Sequence, residues 1–219
     1  MLERVLEPEV MDTEEDASEY DAMDHTEANA AFVERLVTLD PGGRMLDVGT
    51  GPGHIPLLVV ERVADAEVIA IDLAERMLAI ARRYVEASPH AARVRLEKAD
   101  AKALRYPDAH FDFVYSNTIL HHVPEPLTML REVQRVLKPG GGVLIRDLMR
   151  PGSKDELERL VGLHAADATP YQRDLFAASL HAALTPAELT EVARAAGLED
   201  CEVTVDSDRH LSLQRRREA

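Results

Sequence analysis

The sequence predicts one α/β domain, a mostly parallel sheet with helices on both faces. Three observations carry that prediction. Short apolar strands alternate with helical patterns five times between Met45 and Leu148, and parallel strands need a crossover of that kind. A glycine loop, Gly49-Thr50-Gly51-Pro52-Gly53, joins the first strand to the first crossover helix. Three acids, Asp47, Asp72 and Asp100, stand at successive strand ends, where open α/β sheets place their ligands.

In chain order, residues 1–24 are acidic, with scattered apolar positions. Leu2, Val5 and Leu6 fit one helical stripe, which predicts a marginal helical arm packed on the domain as a lid. A disordered acidic tail is the alternative. Thr26 is placed to cap a helix running to about Leu39, with Phe32, Val33, Leu36 and Val37 on its apolar face. Asp40 to Gly43 is the turn into the first strand.

After the glycine loop a helix spans about His54 to Val63, with Pro56 tolerable in its first turn. Glu67 to Asp72 is a buried strand, Ala74 to Ala87 a helix, Arg93 to Asp100 an alternating strand and Phe111 to Asn117 the next strand. Pro126 to Leu137 is a helix that Lys138-Pro139-Gly140-Gly141-Gly142 stops, and Gly142 to Leu148 is a strand. The last third is more helical. Ser153 and Glu156 form a capping box for a helix to about Ala166. Tyr171 to Ala183 is a second helix, and Thr185, Pro186 and Glu188 open a third that ends at Gly197. Glu202 to Val205 and His210 to Leu213 are two short strands.

Composition narrows the partners. The 219 residues suit one domain with a lid or insertion, and 46% apolar content supports a full core. The single cysteine, Cys201, allows no internal disulfide, so a reduced, cytoplasmic setting is expected. No basic-then-apolar leader opens the chain, and no apolar run approaches a membrane helix. Net charge is −15, and residues 1–30 hold eleven acids against one base, Arg4. Such a surface repels phosphate backbones, so no nucleic-acid partner is expected.

Glycines suit a nucleotide loop because a side chain would block the ligand and because the turn needs positive φ, while the new helix offers free N–H groups. A dinucleotide fingerprint wants G-x-G-x-x-G; here His54 stands where the third glycine is due. Met45 to Leu58 instead resembles motif I of the class I S-adenosylmethionine-dependent methyltransferases. Phe111 to Gly141 is similar to the region between the fourth and fifth strands of the small-molecule enzymes of that family. The resemblance spans about Met45 to Leu148, nearly half the chain.

The resemblance implies a Rossmann-like, doubly wound, mostly parallel seven-stranded sheet closed by a strand pair with one antiparallel member. The division is then an arm and helix over 1–40, a cofactor core over 41–148, a helical substrate-side insertion over 149–184 and a closing unit over 185–219. It further implies S-adenosyl-L-methionine as cofactor and S-adenosyl-L-homocysteine as product. Asp47 would orient the amino-acid end beside Gly49, Thr50, Gly51 and Gly53. Asp72 would accept from both ribose hydroxyls, and a carboxylate is acceptor-only. Asp100 would accept from the adenine amine, Ala101 would offer its N–H, and Leu73 and Met77 would pack on the ring. Asn117 and His122 would wall the cofactor. Each acid has a plainer alternative as a helix N-cap.

His121 and Tyr20 are the candidate catalytic residues, since imidazole can take a proton near neutral pH; packing is the competing role for the histidine pair. No metal is expected, because adjacent histidines need a third ligand and none is spaced nearby. Candidate acceptor walls are His25, Arg146, Met149, Tyr171 and Phe176; Arg146 either pairs with a nearby acid or binds an anionic acceptor. Ser116-Asn117-Thr118-Ile119 stands where nucleic-acid amino-methylating enzymes carry an N-P-P-Y type tetrapeptide. The expected partner is therefore a small molecule, bound by a monomer or homodimer. An NAD-type oxidoreductase and a non-catalytic cofactor-binding module are the alternatives.

Overall fold

Alternating strand and crossover segments build one seven-stranded sheet in the order β3-β2-β1-β4-β5-β7-β6. The computed structural model describes residues 2–8, 12, 13, 21, 23 and 25–218. The strands are β1 (Arg44–Val48), β2 (Glu67–Asp72), β3 (Val94–Lys98), β4 (Phe111–Asn117), β5 (Leu137–Leu148), β6 (Glu202–Val205) and β7 (His210–Arg215). The first five pair in parallel, and β7 runs antiparallel to both its neighbours. The order reverses at β1, between β2 and β4, which is the switch point where such sheets bind ligands.

The helices are α1 (Thr26–Val37), α2 (His54–Arg62), α3 (Glu75–Ala87), α4 (Pro126–Val136), α5 (Lys154–His164), α6 (Pro170–Ala182) and α7 (Pro186–Ala195). Two cores flank the sheet. Met129, Leu130 and Val133 of α4 and Leu189 of α7 pack with Leu46, Val114 and Ile145 on one face. Phe32 and Leu36 of α1 and Val59 and Val60 of α2 pack with Met45, Phe113 and Tyr115 on the other. The 3.6-residue and two-residue periods of helix and strand deliver both sets to the sheet. A small separate core, Leu148, Leu160, Leu180 and Ala183, joins α5 and α6 to the end of β5.

Several local expectations change. Residues 2–8 are not helical, and Val5 and Leu6 are exposed. The segment is instead pinned by long-range bonds, from Leu2 N–H to the Gly152 carbonyl and from Val5 N–H to the His181 carbonyl, each 3.2 Å. Arg4 is the clamp: its Nε donates to Ala182 O (2.6 Å) and its Nη2 to His121 O and Val123 O (3.3 and 3.1 Å). Thr26 is the first residue of α1 rather than its cap, and the cap position is His25 without a side-chain bond. Val37 is 42% exposed because α1 ends there.

The Lys138–Gly142 run does not stop a helix before a separate strand. The chain turns from α4 straight into the sheet, Leu137 pairing with Phe111 and Gly142 with Phe113 across a register shift. Glycine suits position 142 because a Cβ there would overlap the Phe113 ring. Ser153 caps α5 by accepting from Glu156 N–H, but Glu156 accepts from Gly152 N–H, one residue off the box. The box at Thr185 and Glu188 forms as read, and one not foreseen forms at Thr169 and Gln172.

Candidate active site

A narrow cleft opens at the carboxyl ends of the strands around the switch point. It is lined by Gly49, Asp72, Leu73, Asp100, Ala101 and His122, all singled out in the sequence. Ile71, Ala99, Lys102, Ile119 and Val123 complete its wall, so the floor is apolar and the rim carries two carboxylates.

The loop owes its shape to left-handed glycines: φ is +75° at Gly49, +53° at Gly51 and +81° at Gly53, a region that costs other residues energy. A Cβ at Gly49 would overlap Ile119, and one at Gly53 would lie 3.0 Å from Ala81. Thr118, at φ +61°, bends the chain after β4 so that Ile119 covers the loop. That is a strained position for a β-branched residue. The loop N–H groups are taken up within the chain. Gly49 and Thr50 both donate to Ile71 O (2.9 Å), Gly53 to Thr50 O (3.0 Å) and Gly51 to Asp72 Oδ2 (2.8 Å). The loop is closed by its own backbone and by the end of β2.

The three acids sit in three different environments. Asp47 is buried, its Oδ2 has no partner, and the Thr50 hydroxyl beside it is also unpartnered. Burial pushes the Asp47 carboxyl up to about 7, with Asp72 adding and Thr50 opposing. Asp72 accepts from Gly51 N–H and from Ala74 N–H, each 2.8 Å; burial moves its carboxyl upward against these bonds. It therefore closes a turn just before α3, whose cap position is Ala74, and also latches the glycine loop, while still lining the cleft. Asp72→Ala is expected to lower stability by about 1–3 kcal/mol by orphaning both donors. An unchanged urea midpoint would remove the latch role. Asp100 accepts from Lys102 N–H and pairs with its Nζ, both at 2.9 Å. Burial opposes ionisation there, but Lys102 outweighs it and holds the carboxyl below the usual range.

Beside the cleft the 3-10 turn Leu120–His122 presents the two histidines. His121 is buried, its Nδ1 2.5 Å from Asp147 Oδ1, and Asp147 Oδ2 accepts from the His121 backbone N–H at 2.8 Å. Burial alone would discharge the ring, but Asp147 and then Glu7 outweigh it, and the His121 pKa moves up. Burial, then His121, pushes His122 down to about 4. Glu7 Oε1 lies 3.2 Å from His121 Nε2 and 3.1 Å from His122 Nδ1. The third ligand thought to be missing beside the pair is thus supplied by the amino-terminal segment. Asp147 and Glu7 were not singled out. Asp147 carried the same signal as the three acids, a carboxylate at a strand end; Glu7 had none among eleven acids.

Other expected residues lie elsewhere. Met77 is buried with Ala74 and Ile80 and does not line the cleft. Asn117 pairs in register with Arg146, which faces Asp206 at 3.7 Å rather than an open site. His25 lines a different groove, between α1, α2 and α3. Met149 packs on the main core and bridges to Leu184, Phe176 packs in the α5–α6 core, and Tyr171 is 43% exposed. Tyr20 lies outside the described residues. Burial pushes the Cys201 thiol up to about 12, so it is no nucleophile.

Residues 46–145 match the sequence profile of the family described as "Methyltransferase domain". A demethylmenaquinone methyltransferase of Symbiobacterium thermophilum is 38% identical over 115 residues, 52% of this chain and 46% of that protein. The 27-O-demethylrifamycin SV methyltransferase of Amycolatopsis mediterranei is 35% identical over 135 residues, 60% and 49% of the two chains. The chain spans about half the length of the curated relatives it matches. A SAM-dependent methyltransferase structure from Aquifex aeolicus superposes with TM-score 0.64 at 21% identity, covering 91% of this chain and 96% of that one. Phosphoethanolamine N-methyltransferase 2 of Haemonchus contortus, solved with S-adenosyl-L-methionine, reaches 0.62 at 27% identity over 82% of this chain and 38% of that one.

Proposed function

We propose, from the premise that residues 46–145 belong to the methyltransferase-domain family, that this chain transfers a methyl group from S-adenosyl-L-methionine to a small-molecule acceptor. The observation that carries the reading is a cleft rimmed by Asp72 and Asp100, with the unpartnered Oδ2 of Asp47 near the end of β1. A buried acceptor without a donor is costly, and the cationic amino group of an amino-acid moiety satisfies it. The cleft's apolar floor suits a purine, and two acceptor-only carboxylates suit ribose hydroxyls and an exocyclic amine. The residues present therefore fit the cofactor.

When bound, the cofactor would supply an activated sulfonium methyl group open to in-line attack by an acceptor lone pair, the carbon–sulfur bond's electrons leaving with S-adenosyl-L-homocysteine. The chain's own work is binding, orientation and exclusion of water. Asp47, Asp72 and Asp100 hold the cofactor, and the glycine loop shapes its seat. His121, fixed through Nδ1 by Asp147, can take a proton at Nε2 from an acceptor that carries one. Residues 2–8 act as part of a lid: Arg4 ties them to the histidine turn, and Asp12 accepts from Arg76 N–H in the first turn of α3. The small-molecule acceptor class follows the names of the relatives, which act on a demethylmenaquinone, a demethylrifamycin and phosphoethanolamine.

S-adenosyl-L-homocysteine is expected to stabilise the fold by mass action, by about 2.7 kcal/mol at one hundred times its Kd, and so to raise the melting temperature, while NAD leaves it unchanged. A shift with NAD alone would favour the oxidoreductase. A shift with S-adenosyl-L-homocysteine, but no cofactor-dependent methylation across a broad metabolite screen, would favour a non-catalytic binding module.

A further inference from the structure

Among the described residues, Glu7, His121 and His122 form a confined cluster of ligating atoms at the edge of the cofactor cleft, which His122 lines. One oxygen of Glu7 and one ring nitrogen of each histidine lie within 4.8 Å of one another. Glu7 joins the pair from 114 positions earlier in the chain, and its side chain is 8% exposed. The two measured edges, 3.1 and 3.2 Å, are close to the ~3.3 Å that separates ligand atoms around a tetrahedral ion bound at about 2.0–2.2 Å.

The hydrogen bonds on the outer side leave the inner atoms unengaged. His121 Nδ1 is taken by Asp147 at 2.5 Å, which leaves Nε2 facing Glu7. His122 Nδ1 has no hydrogen-bond partner. Ser179 donates to Glu7 Oε2 (3.3 Å), while Glu7 Oε1 is buried and also unpartnered. Metal-binding histidines are oriented in this way, one nitrogen on a carboxylate or carbonyl and the other on the ion. A lone proton on His121 could face Glu7 but would leave the His122 lone pair pointing at the same carboxylate oxygen.

We propose that Glu7 Oε1, His121 Nε2 and His122 Nδ1 form a binding site for one divalent transition-metal ion of the zinc type. Two imidazoles and one carboxylate suit zinc, cobalt, nickel or ferrous iron and disfavour magnesium and calcium. A fourth position is open to water. Binding there takes the nitrogen that would otherwise receive an acceptor's proton and ties the amino-terminal segment to the histidine turn. The site does not depend on the methyl-transfer reading, because metal binding is read on the protein alone.

The test uses the full chain, stripped with chelator and titrated with Co²⁺. Expected are saturable binding of one ion per chain, an intensified visible absorption band as the ion leaves octahedral water, displacement by Zn²⁺ and no competition from Mg²⁺. Glu7→Gln and His122→Ala should each weaken binding by at least ~10-fold, the lower end of what even an outer-shell partner contributes, with circular dichroism unchanged. Asp147→Asn, acting through His121, should weaken it by ~10–100-fold. A spectrum that stays that of the hydrated ion overturns the proposal. So does binding that persists at wild-type affinity in both Glu7→Gln and His122→Ala, which would mark an adventitious ion held elsewhere.

Discussion

Asp47→Asn is expected to make the protein more stable at pH 8 and poorer at holding its ligand. The Asp47 carboxyl is buried, lacks a partner for Oδ2 and has its pKa pushed up to about 7. A group whose folded pKa lies above its unfolded value contributes fully below the unfolded value, about 3.9, and loses that contribution as pH rises through the folded one. At pH 8 the ionised side chain therefore costs the wild type on the order of 4 kcal/mol, about three pKa steps of 1.4 kcal/mol each. The nearly isosteric amide removes that cost. The gain in unfolding free energy should shrink as pH falls from about 7 to 4 and vanish below, which urea titrations at several pH values would read. The affinity for S-adenosyl-L-homocysteine should fall by about 1–3 kcal/mol, because the cationic amino group loses its charged acceptor. A variant no more stable at pH 8 would mean that the carboxylate is compensated in the free protein. A gain in stability with affinity intact would place the ligand's amino group elsewhere.

Gly49→Ala should destabilise by on the order of 3 kcal/mol, combining ~1–2 for a side chain in the left-handed region with ~1–3 for overpacking. The added Cβ would stand 3.0 Å from both Ile119 Cβ and Ile119 Cγ1 and overlap its Cδ1. Both residues line the cleft, so ligand affinity should fall with stability. The two causes separate in a double-mutant cycle. Ile119→Ala removes the overlap but not the φ of +75°, so Gly49→Ala should cost less on the Ile119→Ala background, with a coupling energy of about 1 kcal/mol or more. Strictly additive effects would mean that the strained backbone alone demands glycine. A Gly49→Ala protein with wild-type stability would show that the loop holds another conformation in solution.

The alternation of strands and helices was legible because period and capping are local properties. Strand β2 lies at the residues read for it, Glu67 to Asp72, and α4 opens at Pro126 as read. The glycine loop and the acids Asp72 and Asp100 were legible for a related reason: chain order places each just after an apolar run, and the parallel topology brings strand ends together. Met77 misled because helical position alone does not say whether an inward side chain meets a ligand or a neighbouring residue; here it meets Ala74 and Ile80. The arm misled because a three-residue apolar stripe is too short to nucleate a helix, and Arg4 bonded to carbonyls of a distant turn holds the segment in another form.

By itself the sequence determined the class of fold, the loop and the acid rim, since each is written in neighbouring residues whose backbone preferences and polarity act over a few positions. Only the tertiary structure decided that Asp47 is buried with its Oδ2 unpartnered and that Asp72 is bonded back to the glycine loop. It likewise decided that Arg146 faces Asp206 and that Glu7 meets His121 and His122. Those outcomes depend on burial and on contacts between segments distant in sequence, from 21 positions apart at Gly51 and Asp72 to 114 at Glu7 and His121. Carboxylates of similar intrinsic acidity end up buried with an unpartnered oxygen, bonded to backbone N–H groups or set against imidazoles according to which donors the packed chain brings within bonding distance.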